Sequence, residues 1–212
     1  MPDVDPVVNC VFPVQGWAMP REHGYALYGA LHQVWPDLET YTWLQVGPIT
    51  PLVRRQGLTV VGREATLLLR APVSQLATLF VLAETTHRLD QGTIALGRPW
   101  ITPLQASPVL YSPFVTVKVH KPRGGLYPWD ELCLSRFATG IEARLAAAGI
   151  VAGRAHIEIR TPRVLHIQEG GASGWPVAVL GLTDVESLHL QTVGLGGRRK
   201  MGCGVLMPWP SP

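Results

Sequence analysis

Cysteine is scarce in this chain, and its three copies, Cys10, Cys133 and Cys203, lie far apart. They fit no zinc-ligand spacing and cannot all pair, so they read as small buried hydrophobes in a reducing cytoplasm. Long apolar runs are also missing. A stretch such as 77–83 is far short of the roughly 20 residues a membrane helix needs, so no membrane partner is expected. The first residues, with Asp3, Asp5, Pro2 and Pro6, lack the basic and apolar regions of a secretory leader. There is no His-Glu-x-x-His and no close carboxylate set, so no metal or other cofactor is expected. Charge is sparse, 16% of residues with a net +3, so any strongly basic surface must be local.

Hydrophobic residues are plentiful: they fill 47% of the 212 positions, enough for a packed core and too many for disorder. That length holds one large domain or two small ones. The densest local signal is Gly194-Leu195-Gly196-Gly197-Arg198-Arg199-Lys200-Met201-Gly202-Cys203-Gly204. Glycine tolerates φ > 0 and close backbone approach. Amides left free in such a loop make an anion-binding concavity, and Arg and Lys bring charge for phosphate. The segment therefore reads as a phosphate cradle. Gly194, Gly196, Gly197, Gly202 and Gly204 would supply main chain, and Arg198, Arg199 and Lys200 charge.

Two glycine-rich nucleotide signatures fail against it. The dinucleotide fingerprint needs glycine at its sixth position; counted from Gly194 as the first, that position is Arg199. The nucleotide-hydrolase loop matches in spacing between Gly197 and Gly202, but Cys203 and Gly204 occupy the places of its lysine and hydroxyl. A polymeric phosphate backbone, whose phosphates meet separate cations, fits better than a mononucleotide. The competing reading is a solvated glycine turn.

Hydrophobic periodicity predicts a strand over 7–14, a helix over 21–34 and a short strand over 41–46. A hairpin or loop over 57–64 then leads to a strand over 65–70, a helix over 73–83 and a strand pair over 86–96. Prolines at 99, 103, 108 and 113 mark a boundary, giving domains 1–104 and 105–212. The second half repeats the order. An alternating strand over 114–120 precedes a helix over 130–148, with Phe137, Ile141 and Leu145 on one face. A strand over 163–168, a turn over 170–174 and a strand over 176–182 follow. Thr183 and Glu186 then form a capping box that opens a helix over 183–193, and 203–207 is the closing strand. An extra alternating strand over 154–160 turns Arg154, His156, Glu158 and Arg160 to one side, either a solvated face or an RNA-contact face. The βαββαβ order in each half predicts an α+β chain of two tandem ferredoxin-like (RRM-like) domains, the second carrying the glycine-rich loop.

With that loop between the last helix and the last strand, the chain resembles a known family. It is similar to the CRISPR-associated endoribonucleases that cut the repeats of precursor crRNA, the sixth Cas protein, in the RAMP superfamily. Residues 194–204, followed by Val205 to Pro208, match the family's terminal pattern of Gly-hydrophobic-Gly, basic linker, Gly-hydrophobic-Gly. Pro20-Arg21-Glu22-His23-Gly24-Tyr25-Ala26-Leu27-Tyr28 resembles the first-helix motif of a compact branch. The terminal pattern is shared with non-cleaving subunits; the His-Gly-Tyr motif points to the nuclease. The resemblance implies metal-independent cleavage, in which the ribose 2′-OH attacks the adjacent phosphate in line and leaves a 2′,3′-cyclic phosphate and a 5′-OH. The implied partners are CRISPR repeat RNA, as pre-crRNA and crRNA, and other Cas subunits of an effector complex. The alternative is a non-catalytic crRNA-binding subunit.

Such a cut needs a proton acceptor, a proton donor and positive charge at the phosphate. The resemblance favours His23, at the start of the first helix, as catalytic; the alternative is a partly exposed histidine bonding a loop, and His32 is its rival. Tyr25 could position the 2′-OH or stabilise the leaving oxygen, while Tyr28 lies on the apolar stripe. Lys200 and Arg199 could stabilise the transition state or, like Arg198, hold backbone phosphates. Members that use a lysine often place it near the histidine, and the first helix here offers only Arg21. Lys118, Lys121 and Arg123, with His120, form a second basic cluster, either gripping a repeat stem or ending a solvated hairpin. Trp35, Trp43, Trp100, Trp129, Trp175 and Trp209 could stack bases or fill the core.

Overall fold

Alternation along the first strand, β1 (Val7–Gly16), builds the first core: Cys10, Phe12 and Val14 all turn into it. The computed structural model describes residues 5–16, 19, 23–55, 58–89, 92–117, 131–150, 155–167 and 170–209. The chain divides into two compact units, Met1–Leu104 with Arg199–Gly202, and Gln105–Arg198 with Cys203–Pro212.

In the first unit β1 is followed by α1 (Gly24–Val34), a 3-10 turn (Leu38–Thr40), β2 (Gln45–Val46), β3 (Thr50–Arg55) and β4 (Leu58–Pro72). A 3-10 turn (Val73–Gln75), α2 (Leu76–Phe80), β5 (Thr86–Leu89), β6 (Gly92–Leu96) and β7 (Trp100–Pro103) complete it. β1 is central. It pairs antiparallel with β4 on one side, and with β6 and β7 along successive stretches of the other. β2 and β3 both pair with β4, giving the order β2-β4-β1-β6-β5. Leu27, Ala30 and Leu31 of α1 and Leu79 of α2 share one apolar cluster with Phe12, Leu67 and Leu69. Burying each such leucine or phenylalanine contributes about 1.5–3 kcal/mol.

Three expectations change here. The loop over 57–64 and the strand over 65–70 are one long strand, β4. Gly62 is no turn: a Cβ there would stand 2.9 Å from the Pro51 carbonyl, so the glycine admits β3 where the pairing register shifts. The helix over 73–83 shrinks to α2. Ser74 at its start is held through both its amide and its hydroxyl by the Asp5 carboxylate, a local bond that competes with helix. The strand over 41–46 is reduced to β2, because Thr42 and Leu44 donate their amides to the Thr40 and Tyr41 carbonyls in tight turns.

The second unit contains β8 (Val109–Val115), α3 (Glu131–Ala147), β9 (His156–Ile159), β10 (Arg163–Ile167), β11 (Gly170–Leu180), α4 (Asp184–Val193) and β12 (Met207–Pro208). Its sheet runs β10-β11-β8-β12, with β9 also on β11. In both sheets the fourth strand position neighbours the first, and the first neighbours the third, as a βαββαβ ferredoxin-like unit requires. Leu110, Val177 and Val179 of the sheet pack with Phe137, Ile141 and Leu145 of α3 and Leu190 of α4. The capping box of α4 forms: the Glu186 amide donates to Thr183 Oγ1 at 3.4 Å, and the Thr183 amide to Glu186 Oε2 at 2.8 Å. Such caps contribute about 1 kcal/mol.

The second unit also corrects three boundaries. The strand over 114–120 starts earlier, at Val109, and passes Pro113. A register shift lies there, with Pro176 on the facing strand, so neither proline has to supply a regular ladder bond. Residues 118–120 lie outside the described residues. The turn over 170–174 is instead the first arm of β11, paired with β10. Gly174 serves close packing, since a Cβ would meet the Val115 carbonyl and the Phe114 ring at 2.6 Å. The closing strand over 203–207 is only Met207–Pro208, because Gly202 and Gly204 adopt φ of 77° and 67°, outside extended geometry. Among the described residues, no helix is long and apolar enough to cross a membrane.

Candidate active site

His23 immediately precedes α1, and its carbonyl accepts the first helical bond from the Leu27 amide. The side chain is 3% exposed, and Nε2 accepts a hydrogen bond from the Ile49 amide at 2.9 Å. A ring nitrogen that accepts carries no hydrogen, so this is the Nδ1–H tautomer of a neutral imidazole. The histidine is thus at the helix start, as expected, and it bonds the loop at Ile49, as the alternative reading has it, though it is buried rather than partly exposed. Tyr25 is half-buried on the first turn of α1.

The basic half of the glycine-rich segment belongs to the same unit. Arg199–Met201 forms a 3-10 turn, and Met201 lies against the start of α1. A Cβ on Gly24 would overlap the Met201 carbonyl, so glycine beside His23 is what lets the turn approach. Gly202, with φ 77°, packs on Pro48. Met201–Gly202 therefore lies between the first residue of α1 and the Pro48–Ile49 segment that holds His23.

Lys200 Nζ donates to the Glu39 carbonyl at 2.7 Å. Burial lowers the pKa of this lysine, Glu39 opposes that shift, and Arg199 adds to it. The Tyr28 hydroxyl donates to Glu39 Oε1 at 3.3 Å, and its pKa is raised by burial first and by Glu39 second. Tyr28 packs partly buried against the core, with the His32 ring 6.0 Å away. Lys200 thus reaches a residue 161 positions earlier in the chain. The sequence signal for the approach of the 199–201 turn was Gly24, whose purpose is invisible without its partner Met201.

The other half of the segment belongs to the second unit and corrects the amide cradle. Gly194 ends α4 and bonds back to Leu190, while the Leu195 amide donates to Gly204. The Gly197 amide donates to the Thr116 carbonyl at 3.0 Å, and the Gly204 amide to the Phe114 carbonyl at 2.7 Å. A Cβ on Gly196 or Gly204 would overlap the Thr116 or the Leu195 carbonyl, respectively. These glycines fold the segment onto β8, and four of its amides are engaged by protein carbonyls. Arg198 is exposed and holds φ 60°, a left-handed backbone that costs an ordinary residue roughly 1–2 kcal/mol. Lys118, Lys121 and Arg123 lie outside the described residues, as do His120, Arg21 and Trp129. Trp35 and Trp175 are core residues, Trp43 is half-buried, and Trp100 is exposed.

Comparison with known proteins adds to this geometry. A family model described as Cas6 Crispr matches residues 8–211. A curated relative from Myxococcus xanthus (strain DK1622), named CRISPR-associated endonuclease Cas6, is 30% identical over 201 residues, spanning 95% of this chain and 81% of the relative. A solved structure described as an RAMP protein binding different RNA substrates superposes with a TM-score of 0.68 at 14% identity, covering 94% of this chain and 98% of that one. One described as CRISPR associated protein Cas6 gives 0.62 at 15% identity over 96% and 99%. The product of a Cas6-related gene from Pyrococcus furiosus gives 0.61 at 14% over 94% and 97%. At such identities the structures establish the fold: two tandem ferredoxin-like units in one chain.

Proposed function

We propose a function from one premise: the chain belongs to the Cas6 family of CRISPR proteins, whose model spans residues 8–211. It binds CRISPR repeat RNA and cuts it in precursor crRNA as an endoribonuclease, a reading supported by its Myxococcus relative, which is named an endonuclease. The cut needs no metal. The ribose 2′ oxygen forms a bond to the adjacent phosphorus as the bond to the 5′ oxygen breaks, leaving a 2′,3′-cyclic phosphate and a 5′-OH. His23 takes the 2′-OH proton. Tyr25 donates a hydrogen bond to the leaving oxygen, which ends protonated from water. Lys200 offsets charge on the phosphate. Arg198 and Arg199, with Lys118, Lys121 and Arg123, hold backbone phosphates.

One observation carries this reading: Met201, next to Lys200, packs on Gly24, next to His23, so a neutral imidazole and an ammonium come from segments that touch. The Nε2 lone pair that would take the proton is engaged by Ile49, so RNA binding must release it. That engagement favours a second reading, a crRNA-binding subunit that does not cut. Incubation with the host's repeat RNA in EDTA separates the two. A cyclic-phosphate product that disappears with His23→Ala supports the nuclease; binding without any product in the wild-type protein supports the second reading.

A further inference from the structure

The second sheet carries a polar and aromatic face that the active site does not use. Tyr111 on β8 stands opposite Met207 on β12 and Ala178 on β11, and Ala178 stands opposite Glu158 on β9. These four residues form one row across four strands. Their neighbours Leu110, Val177 and Val179 point into the cluster beneath α3 and α4, so the row points away from the helices.

On that face Trp209 meets Tyr111 edge to face, with ring centroids 4.1 Å apart and planes at 63°. The Trp209 amide is fixed by the Val109 carbonyl at 3.0 Å. Arg160, its amide donating to the Pro176 carbonyl, lays its guanidinium 5.3 Å from the Trp209 centroid and 6.0 Å from that of Tyr111. Both rings are half-buried, and the arginine is exposed. Neither ring belongs to the apolar cluster of its unit, and Arg160 makes no ion pair with a described residue.

A planar cation resting on two ring faces, with no carboxylate among the described residues bridging it, presents flat stacking surface and charge side by side. Unpaired RNA offers the complement, a base for the flat surface and a phosphate for the charge. We propose that Tyr111, Trp209 and Arg160 form a stacking subsite for one unpaired base of the bound RNA, with Arg160 also meeting a neighbouring phosphate. Glu158, in the same row, repels phosphate, so the backbone keeps away from it. This subsite rests on the RNA-binding reading above.

Abasic scanning tests it. Affinity for repeat RNA is measured in EDTA with each nucleotide in turn made abasic, for the full-length wild-type protein and for Trp209→Leu. Stacking of one base implies one position whose abasic form weakens wild-type binding roughly 5- to 100-fold, yet weakens the variant less than twofold. Arg160→Gln lowers the salt slope by about 0.7, one phosphate contact. Irradiated wild-type complex gives a cross-link at Trp209 or Tyr111, a readout independent of how any variant folds. Equal abasic penalties in wild type and variant, or cross-links only elsewhere, overturn the subsite while leaving RNA binding intact. A wild-type protein that binds no repeat RNA overturns the RNA reading and the subsite together.

Discussion

Gly24 and Met201 touch main chain to main chain: where the 199–201 turn reaches α1, the helix has room for a hydrogen and nothing larger. Gly24→Ala must push the turn away, since the obstacle is a carbonyl oxygen and not a movable side chain. Overpacking of this kind costs about 1–3 kcal/mol, a Tm drop of roughly 2–12 °C for a chain of this size. Cleavage should suffer more, because a misplacement of about 1 Å can cost roughly 100-fold in rate. Thermal melts and single-turnover cleavage check this. A Gly24→Ala protein that cuts at the wild-type rate refutes the link between the turn and the site.

His23 has a structural duty that complicates the usual alanine test. Its Nε2 is the acceptor for the amide of Ile49, a fully buried residue. His23→Ala leaves that donor unsatisfied, which costs about 1–3 kcal/mol, so lost activity alone would not prove proton transfer. His23→Gln supplies a carbonyl oxygen for Ile49 but cannot relay a proton. The expected outcome is a melting temperature recovered toward wild type with cleavage still abolished. If His23→Gln cuts RNA at the wild-type rate, the base lies elsewhere, and His32 becomes the next residue to replace.

The glycines and the cations of 194–204 should separate cleanly. Gly204 holds φ 67°, and any Cβ there overlaps the Leu195 carbonyl. Gly204→Ala should therefore lower the melting temperature by several degrees, with RNA binding lost through the fold. Arg198 is exposed and already left-handed without glycine. Arg198→Ala should leave the melt unchanged and reduce the slope of log affinity against log salt by about 0.7. Equal melting of wild type and Gly204→Ala would return the glycines to a ligand-binding role.

What could be read from sequence was what local physics decides. Thr183 and Glu186 cap a helix through bonds three residues apart, and Phe137, Ile141 and Leu145 recur at helical spacing, so both helices were legible. Glycine was the ambiguous letter. Gly62 falls in a stretch that reads as a hairpin or loop and Gly174 in one that reads as a turn, yet each sits in a strand because a distant backbone passes close by. The amides around Gly197 and Gly204 read as free because their acceptors, Thr116 and Phe114, lie some 80 to 90 residues earlier. Lys200 and Glu39 meet for the same reason: no local pattern encodes a contact 161 residues long.

Lys200 offers a test in which stability and activity move oppositely with pH. Burial lowers its pKa in the folded protein from the ordinary lysine value of about 10.4. The unfolded chain therefore holds the proton more tightly, and stability from this group rises as pH climbs from the folded toward the unfolded value. The ammonium that we propose for the phosphate is lost over the same interval. If that charge assists the cut, the single-turnover rate should fall on the alkaline side, below the usual lysine range, while the melt holds steady or improves. Lys200→Arg keeps a charge throughout, so its alkaline limb should move upward even if its peak rate is lower for want of the same fit at Glu39. Superimposable alkaline limbs in wild type and Lys200→Arg would show that the titrating group is another residue and would leave Lys200 as a phosphate anchor only.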